Sequence, residues 1–427
     1  MTTNRLMLSD TTTSALLFAS TVSASLVYSV LSGPNYAGIE EVPSPMVSWD
    51  EALADFTNSS RNDNGHHTSS SSIQEINDKH RNSNQNKSQD SVVIIDTRTP
   101  AEYEAAHVWD ALSIPLMTNY QRHVLGKTYH QVGKSAAIAL GWKIFSTWRQ
   151  KQFVRHFEKY RGKTIYIYCW RGGMRSRIVT NLLLRAGFPT VYQVTGGYKS
   201  YLNQTVWNGL KQFATEYKPQ FIVLFGHTGT GKTDLLRRLI DAGYPVVDLE
   251  GLAGHRSSVY GAVDLEQATQ KMFSIGIYHQ LLRYQNSPFI FIEGEAHKVG
   301  NVHLPQFLQE RLHTAPVKVH ITATMATRVN LLKREYLTTR NSVPQIREAT
   351  EVIRKYIGNK NADHLLALLD AKDYDAFTEW LLVNHYDTNY RFAKKGHEYA
   401  LTVSSDDMEA CCEELQSFYD KLERNER

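Results

Sequence analysis

One stretch of the sequence joins a cysteine to residue types that activate a thiol. Tyr168 to Arg177 reads YCWRGGMRSR. The apolar run before Cys169 predicts a buried strand, and SRIVTNLLLRAG after the loop predicts a helix that Gly187 stops. Between them Gly172 and Gly173 let the backbone curl, so that successive N–H groups can face one concave nest. The start of the next helix adds positive potential, and Arg171 and Arg175 add cations. Each effect favours a thiolate, and the thiolate is the nucleophile. Trp170 and Ser176 complete the candidate anion loop around Cys169. A buried strand-end cysteine without chemistry is the plain alternative. Two glycines and two arginines beside the thiol weigh against it.

A second stretch suits phosphate. GHTGTGKT, Gly226 to Thr233, fits G-x-x-x-x-G-K-[ST] between the strand FIVLF and the helix DLLRRLI. Gly226, Gly229 and Gly231 free the backbone to wrap a phosphate, Lys232 neutralises it, and the helix N-terminus points its dipole at it. Thr233 could hold Mg²⁺. The acidic partner of that ion is sought in Asp248 and Glu250, or in Glu293 and Glu295, at strand ends where parallel sheets bind ligands. Helix capping or surface pairing explains those carboxylates equally well. His255 and Arg256 could contact an anionic substrate. Phosphate binding follows from this motif; ATP hydrolysis does not.

These loops need parallel sheets beneath them. SVVIID, TIYIYC and TVYQV, with the helix between the last two, predict one parallel βαβ layer. FIVLFG, YPVVDLEG, PFIFIEGE and VKVHITA predict a second sheet, and the tail from Ile346 reads as helical. The N-terminal 1–40, with apolar Ala15 to Leu31, reads as a targeting or disordered leader. Within residues 58–90 only Ile73 and Ile76 are apolar, so a disordered insert is expected, its histidines His66, His67 and His80 included. The expected division is thus 41–205, carrying that insert, and 217–427. The sequence allows the cytoplasm or, if the leader is a targeting peptide, a mitochondrion or plastid.

Composition is consistent with this. The chain has 427 residues, 42% hydrophobic and 21% charged, a net charge of +4, and three cysteines. That excludes a disulfide-framed mini-protein, a polytopic membrane protein and a histone-like polycation. Cys411 and Cys412 lie in the acidic DDMEACCEELQ, where carboxylates raise thiol pKa, so they are poor nucleophiles. Trp148 to Lys163 is basic at helical spacing and could touch RNA phosphates; a solvated helix face explains it as well.

The cysteine loop in its βαβ setting resembles the active-site loop of a rhodanese domain. Asp96, Arg98, Glu102, His107 and Pro115 match the other signature of that domain, and Asp96, Arg98 and Glu102 are expected to brace the fold. Ala106, Trp109 and Asp110 stand where glycine, proline and glycine are usual, which bears on the local turn. The order CWRGGMRS is similar to one narrower family, the tRNA 2-selenouridine synthases. Gln121 to Gly141, Thr195 to Leu202, Asp248 to Gly261, Ile292 to Gly300, Arg328 to Tyr336 and Leu381 to Tyr390 resemble that family too. Ala296 and His297 depart from its usual serine and arginine. The resemblance spans about residues 91 to 390. It implies an α/β chain, a rhodanese-like parallel-sheet domain followed by a P-loop NTPase-like α/β domain with a helical C-terminal region. It also implies exchange of sulfur for selenium in wobble 2-thiouridine of tRNA, with selenophosphate and geranyl diphosphate as co-substrates, Cys169 catalytic, and no tightly bound cofactor. Two rival readings are a rhodanese-type sulfurtransferase with an ATP-dependent P-loop module, and a non-catalytic, nucleotide-switched binding protein.

Overall fold

The computed structural model describes residues 44–62, 91–294, 297–389 and 398–426. The expected leader, the insert beyond residue 62 and the candidate ligand Glu295 lie outside the described residues. The chain forms two compact units, the first ending at Ser200 and the second beginning at Tyr201.

The first unit is built on β1 (Met46–Val47), β2 (Val92–Asp96), β3 (Leu112–Ser113), β4 (Thr164–Tyr168) and β5 (Val191–Val194), in the order β1-β5-β4-β2-β3. Every pairing is parallel. β2 and β4 are continuous apolar runs because both of their faces are covered. Val93, Ile95, Ile165 and Ile167 pack with Phe153, Phe157, Val179 and Leu183 from the segments that cover the sheet. β1 and the helix Trp49–Asn62 precede the first strand expected from the sequence, and that helix runs into the expected insert as far as Asn62. Three further helices, Asn119–Gln131, Lys134–Ile144 and Thr147–Arg155, fill the connection to β4.

The second unit holds β6 (Gln220–Phe225), β7 (Val246–Val247), β8 (Phe289–Glu293), the antiparallel pair β9 (Lys298–Val299) and β10 (Val302–His303), β11 (Val317–Thr322) and β12 (Leu401–Ser404). The main sheet has the order β12-β11-β6-β8-β7 and is parallel throughout. The C-terminal region is mostly helical, as expected, but β12 interrupts it and forms the sheet edge. Helices between Met325 and Tyr386 make a separate apolar cluster around Ile353, Leu365, Phe377 and Leu381. Among the described residues no helix is long and apolar enough to cross a membrane.

Candidate active site

In the first unit β4 ends at Tyr168 and delivers Cys169 to the carboxyl edge of the sheet, 3% exposed. The loop turns back into the helix Met174–Arg185. Gly173 N–H and Ser176 Oγ–H both donate to Cys169 Sγ at 3.3 Å. Gly172 makes the turn with φ +61°, and a Cβ there would lie 2.5 Å from Val194 O. Around Gly173 there is room, and a Cβ there would meet nothing within 4 Å. Gly197 presses from the other side, and its Cβ would sit 2.2 Å from Cys169 O. The TGGYKS segment thus closes the loop from behind, with Tyr198 N–H on Cys169 O and Lys199 N–H on Trp170 O.

Buried Gln193 on β5 is a brace the sequence reading lacked. Its Nε2 donates to Gly172 O at 2.7 Å, Gly173 O at 3.0 Å and Ser176 Oγ at 3.0 Å, and Ser44 binds its Oε1. The signal was a glutamine inside an otherwise apolar strand, TVYQV.

The two loop arginines part ways. Arg171 and Trp170 are exposed at the loop. Arg175 turns to Glu102, with Nη1 2.8 Å from Oε2, and Arg122 approaches the same carboxylate at 3.3 Å. Burial alone would raise the Glu102 pKa; Arg175, the Thr99 N–H and Arg122 outweigh it and hold the carboxyl at about 2. The expected cation of Arg175 is therefore spent on an ion pair. Asp96 and Arg98 brace the fold as expected: they pair completely buried, and Arg98 lies 4.1 Å over the Tyr198 ring. Asp110 fills a usual glycine position at φ +58°, a left-handed conformation that aspartate tolerates. Ala106 is extended and needs no glycine.

In the second unit the loop after β6 leads into the helix Lys232–Asp241. Lys232 Nζ donates to Gly226 O at 2.7 Å and His227 O at 3.2 Å, spanning the loop it would share with a phosphate. Gly229 and Gly231 have φ +81° and +74°, and a Cβ on Gly226 would meet Ile321 O at 2.5 Å. Thr233 Oγ1–H donates to Glu250 Oε2 at 2.9 Å, and Glu250 N–H donates to Glu293 Oε1 at 2.6 Å. Thr233, Glu250 and Glu293 are thus brought together. Asp248 instead caps the helix Leu249–Ala253 through Gly251 N–H at 2.7 Å, and burial raises its pKa.

Arg256 is held by partners within the second unit. It binds Glu335 Oε1 at 2.8 Å and Val263 O at 2.8 Å, and lies 4.8 Å over the Tyr336 ring. His255, 9% exposed, is wedged between Gly261 and Gly300. Burial, then the charges of Arg256 and Lys298, lower its pKa.

The sequence reading missed the residues that steady the phosphate loop. Arg328 donates to Thr228 O at 2.9 Å and grips Asp387 at 2.9 and 2.7 Å, while Asp387 also meets His227 Nδ1 at 3.1 Å. Ser405 Oγ–H donates to Thr230 O at 2.8 Å. Arg328 and Asp387 stand in the segments Arg328 to Tyr336 and Leu381 to Tyr390, whose familial pattern was the available signal.

Beside this loop lies an apolar cavity of about 60 Å³. Thr228 borders it, and Tyr260, Leu332, Tyr336, Phe377, Leu381 and Tyr386 contribute its wall. Burial pushes the Tyr386 hydroxyl up to about 12, so it stays neutral. Cys411 and Cys412 lie in the core beneath the sheet; burial first, then the neighbouring Cys412 and the carboxylates Glu414 and Asp407, raise Cys411 to about 12.

Residues 219–421 match the family described as the tRNA 2-selenouridine synthase AAA domain, and residues 78–204 match the rhodanese-like domain. A tRNA 2-selenouridine synthase of Cupriavidus necator is 30% identical over 350 residues, covering 74% of this chain and 92% of that protein. One of Hydrogenovibrio crunogenus is 30% identical over 327 residues, covering 71% and 89%. One of Shewanella pealeana is 30% identical over 332 residues, covering 70% and 88%.

Proposed function

The chain belongs to the tRNA 2-selenouridine synthase family, and from that membership we propose that it replaces the sulfur of wobble 2-thiouridine in tRNA by selenium, with selenophosphate as donor and S-geranylation by geranyl diphosphate on the way. In this reading the thiocarbonyl sulfur attacks C1 of the geranyl group and diphosphate leaves. The alkylated sulfur is then a good leaving group. Water takes the phosphoryl group of selenophosphate, leaving phosphate, and the selenide released takes the place of the geranylthiolate at C2 of the base.

The observation that carries the reading is the adjacency of two unlike subsites in the second unit. The phosphate loop, Gly226 to Thr233, and the aromatic cavity share Thr228 as a border. A ligand with a diphosphate head and an apolar tail would use both at once, burying the tail at about 25 cal/mol per Å² of apolar surface. Lys232 and the helix N-terminus would stabilise the departing diphosphate. Thr233 and Glu250 would hold a magnesium ion, whose charge would serve the same end. In the first unit Cys169 would act as nucleophile: its thiolate would displace geranylthiolate at C2 of the base and would itself be displaced there by the selenide. Gly173 N–H and the Ser176 hydroxyl are placed to steady negative charge on that atom.

The test is incubation with thiolated tRNA, selenophosphate and geranyl diphosphate, each omitted in turn, followed by mass spectrometry of the nucleosides. Cys169→Ala is expected to abolish selenouridine while leaving tRNA binding intact; full selenation by that variant would sink the role of Cys169. Lys232→Ala is expected to weaken geranyl diphosphate and selenophosphate binding by at least about tenfold, ~1.4 kcal/mol. Unchanged affinity would remove the phosphate loop from the mechanism. Sulfur transfer from thiosulfate with ATP turnover, and no change in the nucleosides, would favour a persulfide-passing sulfurtransferase instead.

A further inference from the structure

Resting on the tRNA reading above, we propose that the helical segment Thr118 to Lys163 of the first unit is the surface on which the tRNA docks. Charge singles it out. Those residues hold ten Lys or Arg and one carboxylate, Glu158. The remainder of the chain holds 37 Lys or Arg against 42 Asp or Glu, so outside this segment the protein is net acidic. Glu158 is itself paired with Arg161.

The cations are displayed outward. Lys127, Lys134, Lys151 and Arg155 are all exposed. On the helix Asn119–Gln131, Tyr120, His123, Lys127 and His130 recur at spacings of three and four, which puts them on one face. On the helix Thr147–Arg155, Trp148, Lys151 and Arg155 do the same. Three large rings stand among the charges: Trp148 is 67% exposed, Tyr120 63% and Tyr129 53%. Water-facing rings beside cations are what unpaired bases stack on, each contact worth about 1–3 kcal/mol. An anticodon loop offers both unpaired bases and closely spaced phosphates. An acidic protein would satisfy the charge but would leave the rings without a matching partner.

The same surface is tied to the thiol. Phe145 and Phe153 from this segment share a core with Val179 and Leu183 of the helix that follows the Cys169 loop. Arg122 shares Glu102 with Arg175 of that loop. RNA held here would be registered against Cys169 through one rigid unit.

The test uses the full chain and fluorescence anisotropy of a labelled tRNA transcript across a salt series. A quadruple variant, Lys127→Ala, Lys134→Ala, Lys151→Ala and Arg155→Ala, should bind at least about tenfold more weakly at 0.1 M salt. Its plot of log affinity against log salt should be shallower by about 2–4, since each lost phosphate contact removes about 0.7–0.9 from the slope. Trp148→Ala should lose affinity with the slope unchanged. A control set of equal charge in the second unit, Arg340→Ala, Lys355→Ala, Lys360→Ala and Lys421→Ala, should lose little. Equal affinity and slope for both quadruple sets overturns the surface while the tRNA reading stands, and assigns the charge to another anionic partner. Absence of tRNA binding by the unaltered chain overturns both. Circular dichroism melts check folding, and the single Trp148 substitution keeps the test decisive if a quadruple variant melts early.

Discussion

Glu102 decides where the positive charge of the thiol loop goes. Both Glu102 and Arg175 stand out in the sequence, but nothing in a spacing of 73 residues says that they pair. The pairing has a measurable signature. The Glu102 pKa falls from 4.5 to about 2 on folding, because Arg175, Thr99 N–H and Arg122 outweigh its burial. A depressed carboxylate pKa contributes stability that is present above the unfolded value and lost as pH falls through the folded one. Glu102→Gln should therefore cost about 2 kcal/mol at pH 7, with Arg175 left unmatched. The gap from the unaltered protein should shrink as pH drops from about 5 toward 2. Urea unfolding at several pH values checks this; a gap that stays constant would mean the pair contributes nothing. The same pairing explains why counting arginines around Cys169 overstates the charge the thiol meets. Gln193 illustrates the converse, since its three hydrogen bonds across 17 to 21 residues appear only once the strand and loop are folded together.

At the scale of elements, the close approach of two loops sets what the thiol site tolerates. Gly172 and Gly197 meet back to back, and a Cβ on Gly197 would lie 2.4 Å from Gly172 N. Gly197→Ala should thus destabilise the first unit by at least about 2 kcal/mol and remove activity. Gly173→Ala, facing open space, should stay within about 1 kcal/mol of the unaltered chain. Thermal melts and nucleoside analysis of the two variants separate them; equal tolerance would refute the back-to-back packing. Both glycines at 172 and 173 looked alike in sequence, because local motif reading cannot see the segment 25 residues later that presses on one of them. The long strands were legible for a simple reason: β2, β4, β6 and β8 are unbroken apolar runs covered on both faces. β1, with two residues, and β12, with four, are too short to carry such a pattern. Each is defined by its parallel neighbour, β5 and β11 respectively.

At the scale of the whole chain, the net charge of +4 averages over a basic helical segment and an acidic remainder, and composition alone could not reveal that. The division into two α/β units was legible from two loop motifs, each needing its own sheet. Each unit has its own core, so a cavity made in one should not weaken the other's packing. Leu183→Ala in the first and Leu415→Ala in the second, both fully buried, should each cost about 2–5 kcal/mol. Calorimetry should show the two substitutions lowering different components of the unfolding profile; a single component lowered identically by both would deny separate cores. The edge strand β12 has a consequence for how the protein is made. Residues 401–404 complete the sheet beside β11, and Leu415 and Tyr419 of the following helix pack beneath it. Ser405 holds Thr230 of the phosphate loop, and Met408 lies against Gly231. During synthesis these residues leave the ribosome some 170 positions after the loop they support. A chain stalled or clipped before them would carry an intact phosphate motif with neither its sheet edge nor its floor, exposing β11 to chaperones and to neighbouring nascent chains.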